Sequence, residues 1–248
     1  MKVAILAGGA GTRLSEETGS RPKPLVEIGG KPILWHILRH YEFYGLTDFV
    51  IALGYKGEMI KEFFSNCRHG GYDKADYEEN CGLKGRVALI DTGPDTLTGG
   101  RIKRLQPHLN DETFMLTWGD GVSDINLKEL LAFHHSHGRL ATLSAVRPPP
   151  RFGHLHLDGD TVTEFSEKSV AREGWINGAF FVLEPGIFDY IEGDRTQWEK
   201  EPLERLSREG QLMAYRHHSF WHCMDTIHDK KVLEELWSSG CAPWKIGS

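Results

Sequence analysis

The sequence predicts a three-layer α/β fold, in which a mixed, mostly parallel sheet carries helices on both faces. Two observations predict it. Apolar runs of strand length alternate with amphipathic runs of helix length up to about residue 150. The connections between them are short, as right-handed crossovers between neighbouring strands require.

The elements run in order along the chain. Lys2–Ala7 (KVAILA) is a buried strand, too short for a helix and closed by glycines. In PILWHILRHYEFYG, Ile33, Leu34, Ile37, Leu38 and Tyr41 share one helical face, with Pro32 suited to a first helical position and Gly45 to the stop. Asp48–Gly54 (DFVIALG) is a second buried strand and GEMIKEFFSN a second amphipathic helix. VALIDT and FMLTWGDG are strands. NLKELLAFHHSHG is a helix with Asn126 as N-cap and Gly138 as stop, and ATLSAV follows as a strand. Beyond RPPPRFG (Arg147–Gly153) the texture changes: GHLHLDGDTVTEFSEK alternates about Asp158-Gly159-Asp160 and reads as a hairpin. WINGAFFVLEPGIFDYI is a strand running into a helix at Pro185, EPLERLSREG a helix with Pro202 in its first turn, and DKKVLEELWSSG the last helix. The segment from Cys67 to Arg86 is polar, has no sustained period, and is expected to be loop or short strand. No linker, repeat or low-complexity segment divides the chain, so one domain is expected.

Composition sets the function class. The chain has 248 residues, 40% hydrophobic and 26% charged, with a formal net charge of −6. No run approaches the roughly 18 apolar residues of a membrane span. The opening apolar run is too short for a signal peptide and lacks a cleavage site, which points to a cytoplasmic protein. Four scattered cysteines, Cys67, Cys81, Cys223 and Cys241, with no C-x-x-C pair, read as free thiols. The absence of a basic block argues against nucleic-acid binding, while a local anion site needs only a loop and a few cations. His134, His135 and His137 share a helix and His217, His218 and His222 cluster before Asp225; the His134–His137 pair has i,i+3 spacing but implies no acidic residue or third ligand, and both groups read as surface or packing histidines.

The stretch Gly8 to Arg13 (GGAGTR) is the strongest chemical signal. Glycines after a first strand bring bare N–H groups to an anion, at the sheet edge where α/β ligands bind, and Arg13 adds a fixed donor fork for phosphate oxygens. A dinucleotide fingerprint would need a glycine where Leu14 stands, and an acidic residue at the end of the second strand, where Gly54 and Tyr55 stand. A P-loop would need Gly-Lys followed by Ser or Thr, but Gly30-Lys31 is followed by Pro32. A plain turn would require neither Arg13 nor the RPKPL stretch beyond it. In RPKPL, prolines on either side stiffen an extended segment and hold Lys23 as a fixed cation near the loop. Asp120 in TWGDGV and Asp225 in HCMDT follow short apolar runs, where a lone aspartate is more often a turn former than a metal ligand, although magnesium takes only one or two carboxylates and completes its shell with phosphate and water.

On these residues the chain resembles the sugar-nucleotide pyrophosphorylases: LAGGAGTRL, RPKPL and GGKPIL stand at that family's spacing. DTGPDTLTGGRIKRL, WGDGVSDINL, RFGHLHLDG, INGAFFVLEP, WEKEPLERL and FWHCMDTIHDK resemble, over nearly the whole chain, the branch that transfers the cytidylyl group of CTP to glucose 1-phosphate. Two departures are a shorter segment at 67–86 and Ser169 where proline commonly follows the lysine. The resemblance implies a Rossmann-like nucleotidyltransferase fold with a nucleotide half (about 1–150) and a sugar-phosphate half (about 151–248). It implies a nucleotide site of Leu6, Ala7, Gly8, Gly9, Gly11, Thr12, Arg13, Lys23, Thr96, Thr98, Gly99, Arg101, Gly119 and Asp120, in which Arg13 and Lys23 are catalytic and Thr96–Arg101, opened by Gly99 and Gly100, reads the pyrimidine. It places the sugar phosphate on Gly121, Glu167, Lys168, Asn177 and Gly178, and Mg²⁺ on Asp120 and Asp225. It also implies a homo-oligomer and a role in making a deoxysugar of a surface polysaccharide. UTP, dTTP or another sugar phosphate as substrate, and a subunit that binds without turnover, stay open as alternatives.

Overall fold

The computed structural model describes residues 1–66, 82–109, 111–148, 154–166 and 174–246. Its centre is a seven-stranded sheet in the order β12-β8-β11-β6-β1-β4-β5. These strands are β1 (Val3–Leu6), β4 (Asp48–Leu53), β5 (Arg86–Asp91), β6 (Phe114–Trp118), β8 (Ala141–Val146), β11 (Ile176–Leu183) and β12 (Leu212–Arg216). β1 lies parallel between β4 and β6, β5 extends the parallel set, and β11 runs antiparallel to both β6 and β8. The expected mixed, mostly parallel sheet is thus the observed one, and it draws strands from both halves of the chain.

Period-two alternation sorts the core into two layers. Val3 and Ile5 of β1 face a cluster with Leu34, Ile37, Leu38 and Tyr41 of α2 (Ile33–Phe43), Ile60 and Phe64 of α3 (Gly57–Asn66) and Leu130 of α6 (Leu127–His137). Ala4 and Leu6 face the other cluster, with Ile102 of α4 (Thr98–Arg104), Leu109 of α5 (Gln106–Leu109), Trp198, and Leu203 and Leu206 of α7 (Glu201–Arg208). The central strands β1 and β4 therefore bury both faces, which is why KVAILA and DFVIAL read as unbroken apolar runs. The Asn126 side chain accepts from the backbone N–H groups of Lys128 and Glu129, and Gly138 closes α6 at φ 62°.

Three departures from the sequence reading have local causes. Lys23–Leu25 is a single 3₁₀ turn after an extended Pro22, where an extended segment was expected; Pro24 is compatible with a helical φ, and Leu25 N–H bonds Pro22 O. The element at Pro185 is a 3₁₀ helix to Tyr190. β12 and two small pairs, β2 (Glu27–Ile28) with β3 (Lys31–Pro32) and β7 (Gly121–Ser123) with β13 (Trp221–Cys223), have no counterpart in the reading of the sequence, because runs this short or this polar carry little period. The hairpin at Asp158-Gly159-Asp160 is present as β9 (His154–Asp158) and β10 (Thr161–Ser166). The chain closes on α8 (Ile227–Ser238), started by a capping box of Thr226 and Asp229. Among the described residues no helix is long and apolar enough to cross a membrane.

Candidate active site

The carboxyl ends of β1 and β6 meet at one edge of the sheet, and the loops leaving them form the site. The glycine loop is suspended between neighbours: Ala7 N–H bonds Ala52 O, and Tyr55 N–H bonds Gly8 O. Gly11 sits at φ 62°, and a side chain there would also press on Thr18 and Lys23. The Thr18 hydroxyl donates to Gly11 O at 3.1 Å and holds the loop against α1 (Ser15–Thr18). Gly9 is exposed with open space around its Cα, so its backbone faces outward.

Two cations and two carboxylates converge beside this loop. Lys23 Nζ donates to Asp120 Oδ2 at 2.6 Å and to Asp225 Oδ1 at 2.7 Å. Arg13 Nη1 reaches the other oxygen of Asp225, Oδ2, at 2.9 Å. Lys23 is buried while Arg13 is 76% exposed, so the lysine pairs act in a much lower dielectric than the arginine pair. Burial pulls the Lys23 ammonium down, but Asp120 and then Asp225 outweigh it and hold its pKa above the usual lysine value. Burial likewise pushes the Asp225 carboxyl up, and the Lys23 and Arg13 charges overcome it, leaving it below the usual range. Asp225 is further held by its own backbone, whose N–H donates to Asp229 Oδ2 at 3.1 Å.

A cavity of about 180 Å³ opens onto this cluster, lined among others by Trp118, Gly121, Gly178, Ala179, Trp221 and Cys223. Its far wall is an irregularity of β11, where the register against β8 shifts between Asn177 and Phe181. There Ala179 takes φ 61°, its N–H bonded to Asn177 Oδ1, and Trp221 Nε1 donates to Gly178 O at 2.7 Å. Cys223 Sγ lies 3.7 Å from Asp225 Oδ2; burial and the surrounding carboxylates push its thiol up to about 12, so it is protonated at neutral pH. Trp118, Ala179, Trp221 and Cys223 were not singled out in the sequence. For Trp221 and Cys223 the only available signal was their alternation four and two residues ahead of Asp225.

The residues expected to read the base lie differently. Gly99 and Gly100 are in the first turn of α4, packed under the 194–196 backbone. A Cβ on Gly99 would lie 2.8 Å from Thr196 O, and one on Gly100 2.5 Å from Asp194 Cα. Close packing against that loop thus accounts for both glycines. Thr98 Oγ1 donates to Glu199 Oε2 at 2.5 Å and accepts from Trp198 N–H, and Thr96 is buried. Arg101 is buried with its guanidinium turned into the protein. Glu167 and Lys168 lie outside the described residues, as does most of the 67–86 segment. Three of the six histidines are buried: His134 Nδ1 meets Thr142 Oγ1 at 2.8 Å and its Nε2 meets Glu184 at 3.1 Å, His217 meets Ser123 of β7, and His222 lies within β13.

Asp120 and Asp225 offer hard oxygen donors and already share one cation, which suits a divalent ion that takes the rest of its shell from phosphate and water. Among the described residues no group of three or more His, Cys, Asp or Glu could hold a metal by itself.

A glycine loop, two fixed cations and a carboxylate pair on the carboxyl edge of an α/β sheet define an enzyme that handles phosphate esters of nucleotides. The chain belongs to the nucleotidyl transferase family, whose model matches residues 2–226. It is 48% identical to the glucose-1-phosphate cytidylyltransferase of Salmonella typhi over 99% of both chains, and 42% identical to a probable glucose-1-phosphate cytidylyltransferase of Bacillus subtilis over 99% of this chain and 100% of that one. Among solved structures, HddC from Yersinia pseudotuberculosis complexed with GMP-PN superposes with a TM-score of 0.73 at 26% identity, covering 95% of this chain and 99% of that one. A UDP-glucose pyrophosphorylase complexed with UDP-glucose shares the fold at a TM-score of 0.71 and 14% identity, covering 96% of this chain and 98% of that one.

Proposed function

We propose that this nucleotidyltransferase transfers the cytidylyl group of CTP to α-D-glucose 1-phosphate, giving CDP-glucose and pyrophosphate. The observation that carries the reading is the convergence of Arg13, Lys23, Asp120 and Asp225 at the mouth of one cavity. The likeness to cytidylyltransferases over the whole chain supports the choice of base and sugar.

A phosphate oxygen of the sugar attacks the α-phosphorus of the nucleotide, and the bond to pyrophosphate breaks in line. Both reactants are polyanions, and two unit charges 4 Å apart repel by about 4 kcal/mol at an effective dielectric of 20. Cations and backbone donors are therefore the chemistry required, and no nucleophilic side chain is needed. Leu6 to Thr12 offer backbone around the nucleotide, with Gly9 open to it. Arg13, exposed at its tip, suits the triphosphate and the leaving pyrophosphate, and Lys23 offsets charge between the two substrates. By resemblance Gly119 and Asp120 belong to the nucleotide side, and Gly121, Glu167, Lys168, Asn177 and Gly178 to the sugar side; that Asp120, Gly121 and Gly178 line one cavity supports this. We take about 1–150 as the nucleotide half and about 151–248 as the sugar half, with Gly121 of the first half also on the sugar side.

Enzymes of this family generally use a divalent metal. We assign Mg²⁺, held by Asp120 and Asp225. When bound, it neutralises charge on the reacting phosphate and on the leaving group. A cytoplasmic homo-oligomer with no nucleic-acid or membrane partner completes the reading.

Pyrophosphate release with glucose 1-phosphate and Mg²⁺, measured against CTP, UTP, dTTP, ATP and GTP, tests it. CTP is expected to lead. Equal or greater turnover with UTP refutes the choice of base, and no turnover with any nucleotide across a panel of sugar phosphates leaves a binding subunit.

A further inference from the structure

Arg101 is 5% exposed, yet the oxygens around its guanidinium belong to three different strand ends. Nη2 donates to Gly8 O at 3.0 Å, in the glycine loop after β1. Nη1 donates to Leu53 O at 3.0 Å, the last residue of β4. Beyond β5, Nη1 meets Thr92 Oγ1 at 2.7 Å and Gly93 O at 2.8 Å, and Nη2 meets Pro94 O at 3.2 Å. The two terminal nitrogens carry four N–H donors between them. Five oxygen acceptors, all uncharged, surround those four donors. Neither terminal nitrogen has a donor left for a ligand.

Two glycines make room for this arrangement. A Cβ on Gly8 would lie 2.6 Å from Arg101 Cζ, and one on Gly54 would lie 2.7 Å from the same atom. The guanidinium is threaded between the loop after β1 and the loop after β4, and neither can carry a side chain on that side. Gly8 O also accepts from Tyr55 N–H, so the first turn of the glycine loop is clamped from two sides.

We propose that Arg101 is a positioning residue. Its guanidinium locks the glycine loop, which meets the phosphates common to CTP and UTP, to the ends of β4 and β5, and does not itself select the base. The proposal rests on the nucleotidyl-transfer reading of that loop. Lysine cannot replace Arg101, because the five oxygens are divided between two terminal nitrogens, whereas lysine presents one nitrogen with three donors.

The test uses Arg101→Lys in the full chain, with two readouts. The first is amide hydrogen exchange of the nucleotide-free protein, comparing peptides over 6–13 and 92–97 with α6 as internal control. Exchange in the two loops is expected to rise about tenfold or more with α6 unchanged, the signature of local and not global loosening. The second is steady-state kinetics with CTP and UTP. KM for both is expected to rise about tenfold while kcat holds and the CTP-to-UTP ratio of kcat/KM stays within about threefold. A collapse of that ratio, or loop exchange equal to wild type, overturns the proposal. If Arg101→Lys does not fold, Gly54→Ala displaces the same guanidinium without changing residue 101, and the same two results decide. If the wild type turns over no nucleotide, the proposed function fails, while the exchange readout still decides the role of Arg101.

Discussion

Replacing Lys23 with methionine removes the one ammonium that Asp120 and Asp225 share. Two oxygens held at 2.6 and 2.7 Å from one tetrahedral nitrogen lie about 4 Å apart. Left as a bare pair at an effective dielectric of 20, they repel by about 4 kcal/mol. Asp120 and Asp225 keep 27% and 19% of their side-chain surface in water, and Arg13 remains on Asp225, which together bring the expected loss of stability to about 2 kcal/mol at pH 7.5. The pH dependence follows from the sign of the shifts. Asp225 has a depressed folded pKa, so in the wild type its stability is present above the unfolded value of about 3.9 and is lost as pH falls through the folded value. Without the ammonium that depression is lost and Asp225 protonates at higher pH. The stability gap between Lys23→Met and wild type should therefore narrow from about pH 6 down to pH 4. Urea unfolding across that range, with and without millimolar Mg²⁺, is the assay. Mg²⁺ is expected to stabilise the variant more than the wild type, because it no longer competes with a lysine for the two carboxylates. A gap that stays flat with pH, or an equal response to Mg²⁺, refutes the reasoning. Turnover should fall by about 10² to 10³, as for loss of one preorganised charge-stabilising group.

The remaining predictions concern single residues. Asp225→Asn should lower kcat/KM by about 10³ while the urea midpoint moves little, because the backbone anchor to Asp229 survives; near-normal activity in the pyrophosphate assay would remove Asp225 from the metal pair. Ala179→Gly should raise stability by about 0.5 kcal/mol: relief of a left-handed alanine is worth about 1–2 kcal/mol, against about 1 kcal/mol of added unfolded-state entropy, and a measured loss would show the strain is absent. His40 is buried and its pKa is lowered to about 4, so the unfolded chain takes up the proton first as pH falls below 6.5. Wild type should lose about 3 kcal/mol between pH 6.5 and 4 that His40→Leu does not lose, and parallel pH profiles would rule this out.

The candidate site was legible in the sequence where chemistry and backbone signal coincide. Gly8–Arg13 follows a strand and must sit at its carboxyl end, and RPKPL stiffens the chain around Lys23, ten residues beyond Arg13. Arg101 was legible as a residue of interest but not in its direction. A charged side chain after two glycines reads as facing a ligand, and only the packed loops after β1, β4 and β5 supply enough carbonyls to bury it. Gly99 and Gly100 invited the same inference, and the 194–196 loop that lies on them is about a hundred residues away in the chain. The small β7–β13 pair escaped notice because three-residue strands carry no period, although it brings Asp225 beside Asp120.

By itself the sequence determined what short-range physics encodes. That covers the alternation of buried strands and amphipathic helices, the Asn126 and Gly138 caps, and a glycine-rich loop directly after β1. Tertiary structure alone decided that Lys23 stands between Asp120 and Asp225, that Arg13 reaches Asp225 across 212 positions of chain, and that Arg101 turns inward. The reason is that a charge in water costs little in any orientation, whereas a buried one is tolerated only where partners from distant segments converge on it.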